Sequence, residues 1–322
     1  MMLRAAILGA GGMGHRHAQS LKELETVSLR AVCDVKESAA NELAQSYNAR
    51  VYTDFDKMLR EEKPDLLFLC LPPFAHNGEV EKAADLGIHI FIEKPIALEE
   101  GRARSMVEAI EKNGVISQVG YHYRFGEAVC QLKKLMDSGK AGKPVLFNAR
   151  YECNSLHSPW WRQKDKCGSQ ILEQAIHLYD MALYLMGPIE FSTGLMANLC
   201  HADVPNYTIE DVSASLLRFC SGALGSITAT NCAVPGKWEN PFTAVFENVT
   251  AQFTDPNHAV FWDTSGEEPV ESTVCGEVDM YLEEVRAFVE AVLAGKKSSC
   301  PIQEGYQGLC LVKTVSDNAK EA

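Results

Sequence analysis

The sequence predicts an α/β protein: a doubly wound parallel sheet in the N-terminal region, followed by an α+β domain with a large, mostly antiparallel, open sheet. Three observations predict it. Residues 1–121 alternate short continuous apolar runs with amphipathic stretches, as strands do when helices cover both faces of a parallel sheet. Residues 122–322 carry many strand-like runs with few helices between them, which suits antiparallel pairing. A glycine-rich turn separates the first strand from the first helix. A chain of 322 residues is also long for one domain, so the expected partition is 1–121 and 122–322.

The elements follow in order. "LRAAIL" (3–8), "VSLRAVC" (27–33), "DLLFLCL" (65–71), "IHIFI" (88–92) and "VISQV" (115–119) read as strands, with helices near 13–24, 38–47, 75–86 and 99–113. In the second region "PVLFNARYEC" alternates, with Val145, Phe147, Ala149, Tyr151 and Cys153 on one side and Leu146, Asn148, Arg150 and Glu152 on the other. Period two means one covered face and one wetter face. "FSTGLMANL", "VSASLLRFC", "ALGSITATN", "FTAVFE", "NVTAQFT", "AVFWDT" and "PVESTV" are further strands, with turns at Ser221-Gly222 and "TSGEE" (264–268). A helix is expected over 171–186, and another over 279–294 that ends at Gly295.

Composition narrows the function. A net charge of −13 argues against a nucleic-acid surface, which needs a basic face. No apolar run approaches the ~20 residues that span a bilayer, and the N-terminus lacks a signal-peptide core and cleavage site. The eleven cysteines are dispersed, without a C-x-x-C pair. That pattern fits reduced core thiols in a cytoplasmic protein, not a disulfide framework or a metal site.

"AAILGAGGMGHRH" places Gly9, Gly11 and Gly14 in the spacing G-x-G-x-x-G directly after the first strand. Gly9 allows the tight turn, Gly11 a close backbone approach to a pyrophosphate, and Gly14 close packing of helix on sheet. The helix N-terminus offers free N–H groups and partial positive charge to phosphates. Asp34, twenty residues after Gly14 in "AVCDV", is placed to accept hydrogen bonds from a ribose and to repel a 2′-phosphate. Strand, turn, helix, second strand and acid in register point to a Rossmann dinucleotide site for NAD, with NADP disfavoured. The plain alternative is an ordinary glycine turn with Asp34 as a surface residue.

"FIEKPIA" ends a buried strand in Lys94, between Glu93 and Pro95. Lysine is rarely buried without a partner, and the following proline biases Lys94 to an extended backbone. Ligands lie at the C-terminal edge of such sheets, so Lys94 is placed near the nicotinamide end. In "ILEQAIHLYD", Glu173, His177 and Asp180 fall at i, i+4 and i+7, one face of the expected helix. A carboxylate four residues before a histidine can fix its tautomer, and the histidine could then take a hydroxyl proton as hydride leaves the same carbon. A structural ion pair on a helix surface is the alternative.

"GAGGMGHRHA", "CDV", "LPPFAH", "EKPIAL", "YHYRF", "WWR" and "EQAIHLYD" together resemble the glucose–fructose oxidoreductase and inositol dehydrogenase (Gfo/Idh/MocA) family nearly end to end. The resemblance implies that Lys94 is catalytic and that His177 and Glu173 complete the site. It implies a cofactor site of Gly9, Gly11, Gly12, Met13, Gly14, Asp34, Leu71, Pro72, His76, Glu93 and Lys94, with His15 and His17 shaping the cofactor loops. Tyr121, Arg124, Trp161, Arg162 and Asp180 correspond to positions lining nicotinamide and substrate. The proline after the lysine is often cis in that family. Many members carry aspartate and glycine where this chain has Glu173 and Ala175, which moves the carboxylate by about one methylene. The family implies an NAD(P)-dependent oxidoreductase of a secondary alcohol or ketone in a sugar, cyclitol or related polyhydroxy compound, working as a homodimer or homotetramer. A non-redox NAD-dependent glycosidase or lyase of the same fold, or a silent sugar- or nucleotide-sensing regulator, are the alternatives.

Overall fold

The computed structural model describes residues 2–156 and 158–321, and the chain forms two compact units, Met1–His122 with Tyr281–Tyr306 and Tyr123–Met280 with Gln307–Ala322. The first contains a six-stranded parallel sheet of β1 (Leu3–Leu8), β2 (Val27–Cys33), β3 (Arg50–Tyr52), β4 (Leu66–Leu69), β5 (His89–Ile92) and β6 (Ser117–Val119). Its order is β3-β2-β1-β4-β5-β6, every pairing parallel. The strand order reverses between β1 and β4, which opens a crevice at their C-terminal ends. The connecting helices are α1 (Gly12–Lys22), α2 (Glu37–Gln45), α3 (Phe55–Glu62), α4 (Glu79–Asp85) and α5 (Glu100–Asn113). The central strands are largely apolar: Ala5, Ala6, Ile7, Leu66 to Leu69 and Ile90 to Ile92 are all fully buried.

Two first-unit elements were absent from the sequence reading. β3 is only three residues long, too short for a hydrophobic period to register. α3 follows it, capped by Asp54, whose side chain accepts from Lys57 N, and ended by Lys63 at φ 45°. The sequence also assigned all of 122–322 to the second domain, whereas 281–306 belongs to the first unit. The apolar stripe of α10 (Met280–Ala294) explains this: Val285, Phe288 and Val289 are buried in one cluster with Leu3, Ile7, Phe68 and Phe91. Polar ties lock the same segment, since Gln118 Nε2 donates to the Glu284 carbonyl at 2.6 Å and Ser298 Oγ to the Ser117 carbonyl at 2.6 Å.

The second unit carries α6 (Glu127–Asp137), α7 (Lys164–Cys167), α8 (Gln170–Glu173) and α9 (Ile176–Met186), and most of α11 (Ile302–Asp317). Its strands are β7 (Pro144–Cys153), β8 (Ile189–Ala197), β9 (Val212–Phe219), β10 (Leu224–Thr230), β11 (Trp238–Glu239), β12 (Phe242–Phe246), β13 (Val249–Asp255), β14 (His258–Asp263), β15 (Val270–Cys275) and β16 (Ala319–Glu321). The sheet runs β15-β14-β13-β12-β7-β10-β9-β8-β16, with β11 on β7. Pairings are antiparallel except β10 with β7 and β16 with β8. The alternation expected in β7 is observed: Phe147, Ala149, Tyr151 and Cys153 are buried, while Val145 at the strand's start stays exposed. No helix among the described residues is long and apolar enough to cross a membrane.

Phe288 places the 281–306 segment on a quantitative footing. Its ring is fully buried and meets Phe68 and Phe91 edge-on, each at 5.8 Å between centroids. Phe288→Ala is expected to cost about 3–5 kcal/mol, read from urea denaturation of the whole chain. A loss below about 1 kcal/mol would show that α10 is not part of that core.

Candidate active site

The glycine turn has the contacts its spacing demands. Gly9 sits at φ +98°, and a Cβ there would stand 2.5 Å from the Cys70 carbonyl oxygen. A Cβ on Gly14 would lie 2.2 Å from the Gly9 carbonyl oxygen, so helix α1 presses directly on the turn. Gly11 and Gly12 face open space, and Met13 follows them half-buried in the first turn of α1. Gly11 caps α1 without a side-chain hydrogen bond. The helix therefore begins with backbone N–H groups and an uncluttered approach, the arrangement that suits a pyrophosphate.

Asp34 closes the turn from the end of β2. Its Oδ2 accepts from Ala10 N and its Oδ1 from Lys36 N, each at 2.8 Å. Each carboxylate oxygen retains acceptor capacity for a ribose hydroxyl. The same side chain thus holds the glycine turn and stands where a ribose would be read, and the first of these duties was not visible in the sequence. Leu71 and Pro72 follow β4, and Leu71 Cδ2 lies 3.3 Å from the Cβ position of Gly9. The residues present fit a dinucleotide.

His76, expected at the cofactor, is buried at the end of the Pro73–Ala75 turn. Burial first, and the Arg102 charge second, push its imidazole down to about 4, against a smaller opposing effect of Glu81. Glu93, also expected at the cofactor, has its carboxylate turned inward. His17 Nε2 meets Glu93 Oε1 at 2.5 Å, and Glu93 Oε2 accepts from Lys94 N at 3.2 Å. A Cβ on Gly120 would touch the same carboxylate at 2.9 Å. Lys94 follows β5 at the C-terminal edge of the sheet, and its peptide bond to Pro95 is cis. The His122 imidazole is pushed down to about 3 by burial and then by the Lys94 ammonium, His17 and Arg16. Tyr121 is buried beside it in sequence, just past β6.

In the second unit the expected helix over 171–186 is two helices. α8 ends at Glu173, and α9 starts at Ile176. Ala175 N reaches back to the Gln170 carbonyl at 3.2 Å, a π-type turn of the kind common at functional sites. The i, i+4 geometry of one continuous helix therefore does not describe Glu173 and His177: each is buried, on its own helix. The His177 ring is stacked on Tyr123 at 4.7 Å between centroids, a contact between residues 54 positions apart in sequence that no local spacing signals. Asp180 and Arg124, expected to face substrate, grip one another: Arg124 Nε donates to Asp180 Oδ2 at 2.9 Å, and a second guanidinium nitrogen donates to Oδ1. Both are buried, and the guanidinium lies over Tyr184 at 4.5 Å. This is a bidentate pair, with Asp180 on α9. Trp161 and Arg162 lie in the Pro159–Arg162 turn, where Arg162 Nε donates to the Leu156 carbonyl at 2.7 Å. Sequence reasoning also passed over Glu210. Its Oε1 accepts from Ile171 N in α8 at 3.1 Å, and burial pushes its carboxyl up to about 7.

Comparisons with known proteins agree with this geometry. Residues 3–121 match the model of an oxidoreductase family with an NAD-binding Rossmann fold, and residues 129–252 match the GFO/IDH/MocA C-terminal domain. The chain is 28% identical over 319 residues to myo-inositol 2-dehydrogenase of Thermotoga maritima, covering 96% of this chain and 94% of the relative. It is 25% identical to the oxidoreductase YrbE of Bacillus subtilis, covering 94% and 89%. A solved levoglucosan dehydrogenase, in complex with NADH and levoglucosan, superposes with a TM-score of 0.90 at 20% identity, covering 99% of this chain and 97% of that one.

The buried His76 gives the site a pH signature. Its folded value, about 4, lies below the ordinary 6.5, so between these the unfolded chain binds more protons. The stability this group confers is complete above about pH 6.5 and is lost as pH falls to about 4, a change of about 3 kcal/mol. Denaturant titrations across this range should show His76→Asn with a flatter pH dependence than wild type; parallel curves would mean that His76 titrates normally.

Proposed function

The chain belongs to the GFO/IDH/MocA oxidoreductase family, and from that premise we propose that it is an NAD-dependent dehydrogenase of a secondary alcohol, or its ketone, in a sugar, cyclitol or related polyhydroxy compound. The observation that carries this reading is the first unit's layout. The open glycine turn, Asp34 and Lys94 all lie at the C-terminal ends of strands of one parallel sheet, where such sheets hold ligands. An inositol dehydrogenase among the relatives supports a cyclitol or sugar.

When bound, NAD would supply hydride-transfer chemistry at the carbinol carbon. The chain's part is positioning and proton handling. Lys94 stabilises the alkoxide that develops at the reacting oxygen, because an ammonium there is worth more to the transition state than to the ground state. His177 takes the hydroxyl proton, with its ring held flat against Tyr123, and Glu173 orients the reacting groups as the acid of the set. Gly9, Gly11 and Gly14 admit the pyrophosphate, and Asp34 selects NAD by repelling a 2′-phosphate. The chain works as a homo-oligomer in this reading. Support comes from the second sheet, where Phe191, Leu195, Leu216 and Leu224, on the neighbouring strands β8, β9 and β10, are 49%, 51%, 60% and 54% exposed, apolar surface that a second copy could cover.

A panel of cyclitols and sugars with NAD, followed by NADH absorbance, tests the reaction. Lys94→Ala should lower kcat by about 10²–10³ with NAD affinity and fold nearly intact, and Lys94→Arg should restore little, since guanidinium does not give up its proton. Near-normal kcat with weakened NAD binding would make Lys94 a cofactor clamp. Product release without NADH would exclude net oxidation.

Cofactor choice is tested separately by Kd for NAD and NADP. Asp34→Ser should weaken NAD and favour NADP relative to it. The loss of the bond to Ala10 N should also lower thermal stability, by about 1–3 kcal/mol. A wild type that prefers NADP would reverse the role given to Asp34.

A further inference from the structure

The cysteines are scattered in sequence, yet the second unit brings two of them together. Cys200 lies in the loop that leaves β8, Cys232 lies just past β10, and Asp211 immediately precedes β9. One donor atom from each, two sulfurs and a carboxylate oxygen, lies within 4.8 Å of the others. His201 joins them: its Nδ1 is 3.1 Å from Asp211 Oδ2 and 3.9 Å from Cys232 Sγ. In a tetrahedral zinc site, with Zn–S near 2.3 Å and Zn–N or Zn–O near 2.0–2.2 Å, neighbouring donors are about 3.3–3.8 Å apart. The two measured His201 spacings bracket that range.

Backbone hydrogen bonds hold the group in place, and Cys232 Sγ also reaches the Asp211 carbonyl at 4.0 Å. Asp211 is fully buried; its Oδ1 accepts from Leu199 N at 3.0 Å, and its Oδ2 from Cys200 N at 2.7 Å and His201 N at 2.9 Å. Three successive backbone N–H groups thus fold the loop that carries the thiol and the imidazole onto the carboxylate. The His201 ring is stacked on Tyr207 at 4.8 Å. On the other side, Cys232 N donates to Thr230 Oγ1 at 3.0 Å. Asp211 is buried, Cys232 half-buried and Cys200 exposed, so an ion can enter from solvent without opening the core.

We propose that Cys200, His201, Asp211 and Cys232 form a site for a thiophilic divalent cation of the zinc class, which staples the loop after β8 to the ends of β9 and β10. Two sulfurs, one imidazole and one carboxylate match the preference of zinc over the hard cations magnesium and calcium. A cysteine binds such a cation as the thiolate, so affinity climbs with pH. The staple supports α8 through a short relay: Tyr207 OH accepts from Asn231 Nδ2 at 3.2 Å, and Asn231 Oδ1 accepts from Gln170 Nε2, in α8, at 2.9 Å.

The test uses the full-length protein, stripped with a chelator, kept reduced with a phosphine and titrated with cobalt(II) as a spectroscopic stand-in for zinc. One equivalent should bind and give a thiolate-to-cobalt charge-transfer band with intense tetrahedral visible bands, and zinc should displace it. Cys200→Ser and Cys232→Ser should each lose part of the charge-transfer intensity, and the double variant all of it. His201→Ala should weaken binding about 10–100-fold, while Cys275→Ser, at an exposed cysteine elsewhere, should change nothing. One equivalent of zinc should also raise the Tm of the wild type, a readout that needs no variant to fold. Charge-transfer bands that persist in the double variant, or a wild type that takes up no cobalt and gains no stability from zinc, would overturn the proposal. So would a pair found by mass only as thiols or a disulfide, with no metal uptake after reduction.

Discussion

Inside the first unit the imidazole of His17 meets the carboxylate of Glu93 at 2.5 Å, with the His17 ring wholly enclosed, and much of the nucleotide-side geometry depends on that contact. His17 lies in α1, the helix that starts at the glycine turn; Glu93 lies at the end of β5, next to Lys94. The pair therefore ties the element that would receive phosphates to the element that would meet the reacting oxygen. Phe91 stands edge-on to the ring at 4.7 Å and Phe68 tilts against it at 5.7 Å, so the imidazole cannot swing away. Glu284 of α10 brings a second carboxylate within 4.8 Å. Breaking a buried pair of this sort by removing one partner costs about 3–5 kcal/mol, because the remaining group is left desolvated. Removing Glu93 would also release the Lys94 amide from its bond to Glu93 Oε2. The E-K-P segment is thus a structural joint as well as the segment that carries the Lys94 ammonium group.

Other carboxylates organise the rest of the molecule in the same manner. Asp34 gathers Ala10 N and Lys36 N around the turn. Asp180 takes both arms of Arg124 beneath α9. Asp211 collects three consecutive amides and folds a loop over itself. Asp180 and Asp211 are carboxylates taken out of water and stabilised by hydrogen bonds to the charged form, and in all three cases the partners fix the backbone around the side chain. Arg124, Asp180 and Glu93, expected at substrate or cofactor, each make a contact of this kind within their own unit.

What the sequence determined by itself is what depends on local spacing. The apolar runs of β1, β2, β4, β5 and β6, the alternation of β7, the glycine turn and the acid at the end of β2 all follow from periods of two and 3.6 residues and from the sterics of glycine. So does Lys94 at a strand end. Tertiary structure alone decided what depends on distant residues meeting. It assigned 281–306 to the first unit because the stripe of α10 needed a partner, and Phe68, Phe91 and Ile7 supplied it. It split the helix at Ala175, where backbone bonding, not residue type, makes the break. It paired His17 with Glu93, His177 with Tyr123, and Cys200 with Cys232. Such pairs are separated by tens of residues, and no local period records them. Whether a carboxylate or a thiol is a ligand or a brace is settled by which groups the fold delivers to within about 3 Å of it, and only the folded chain specifies that.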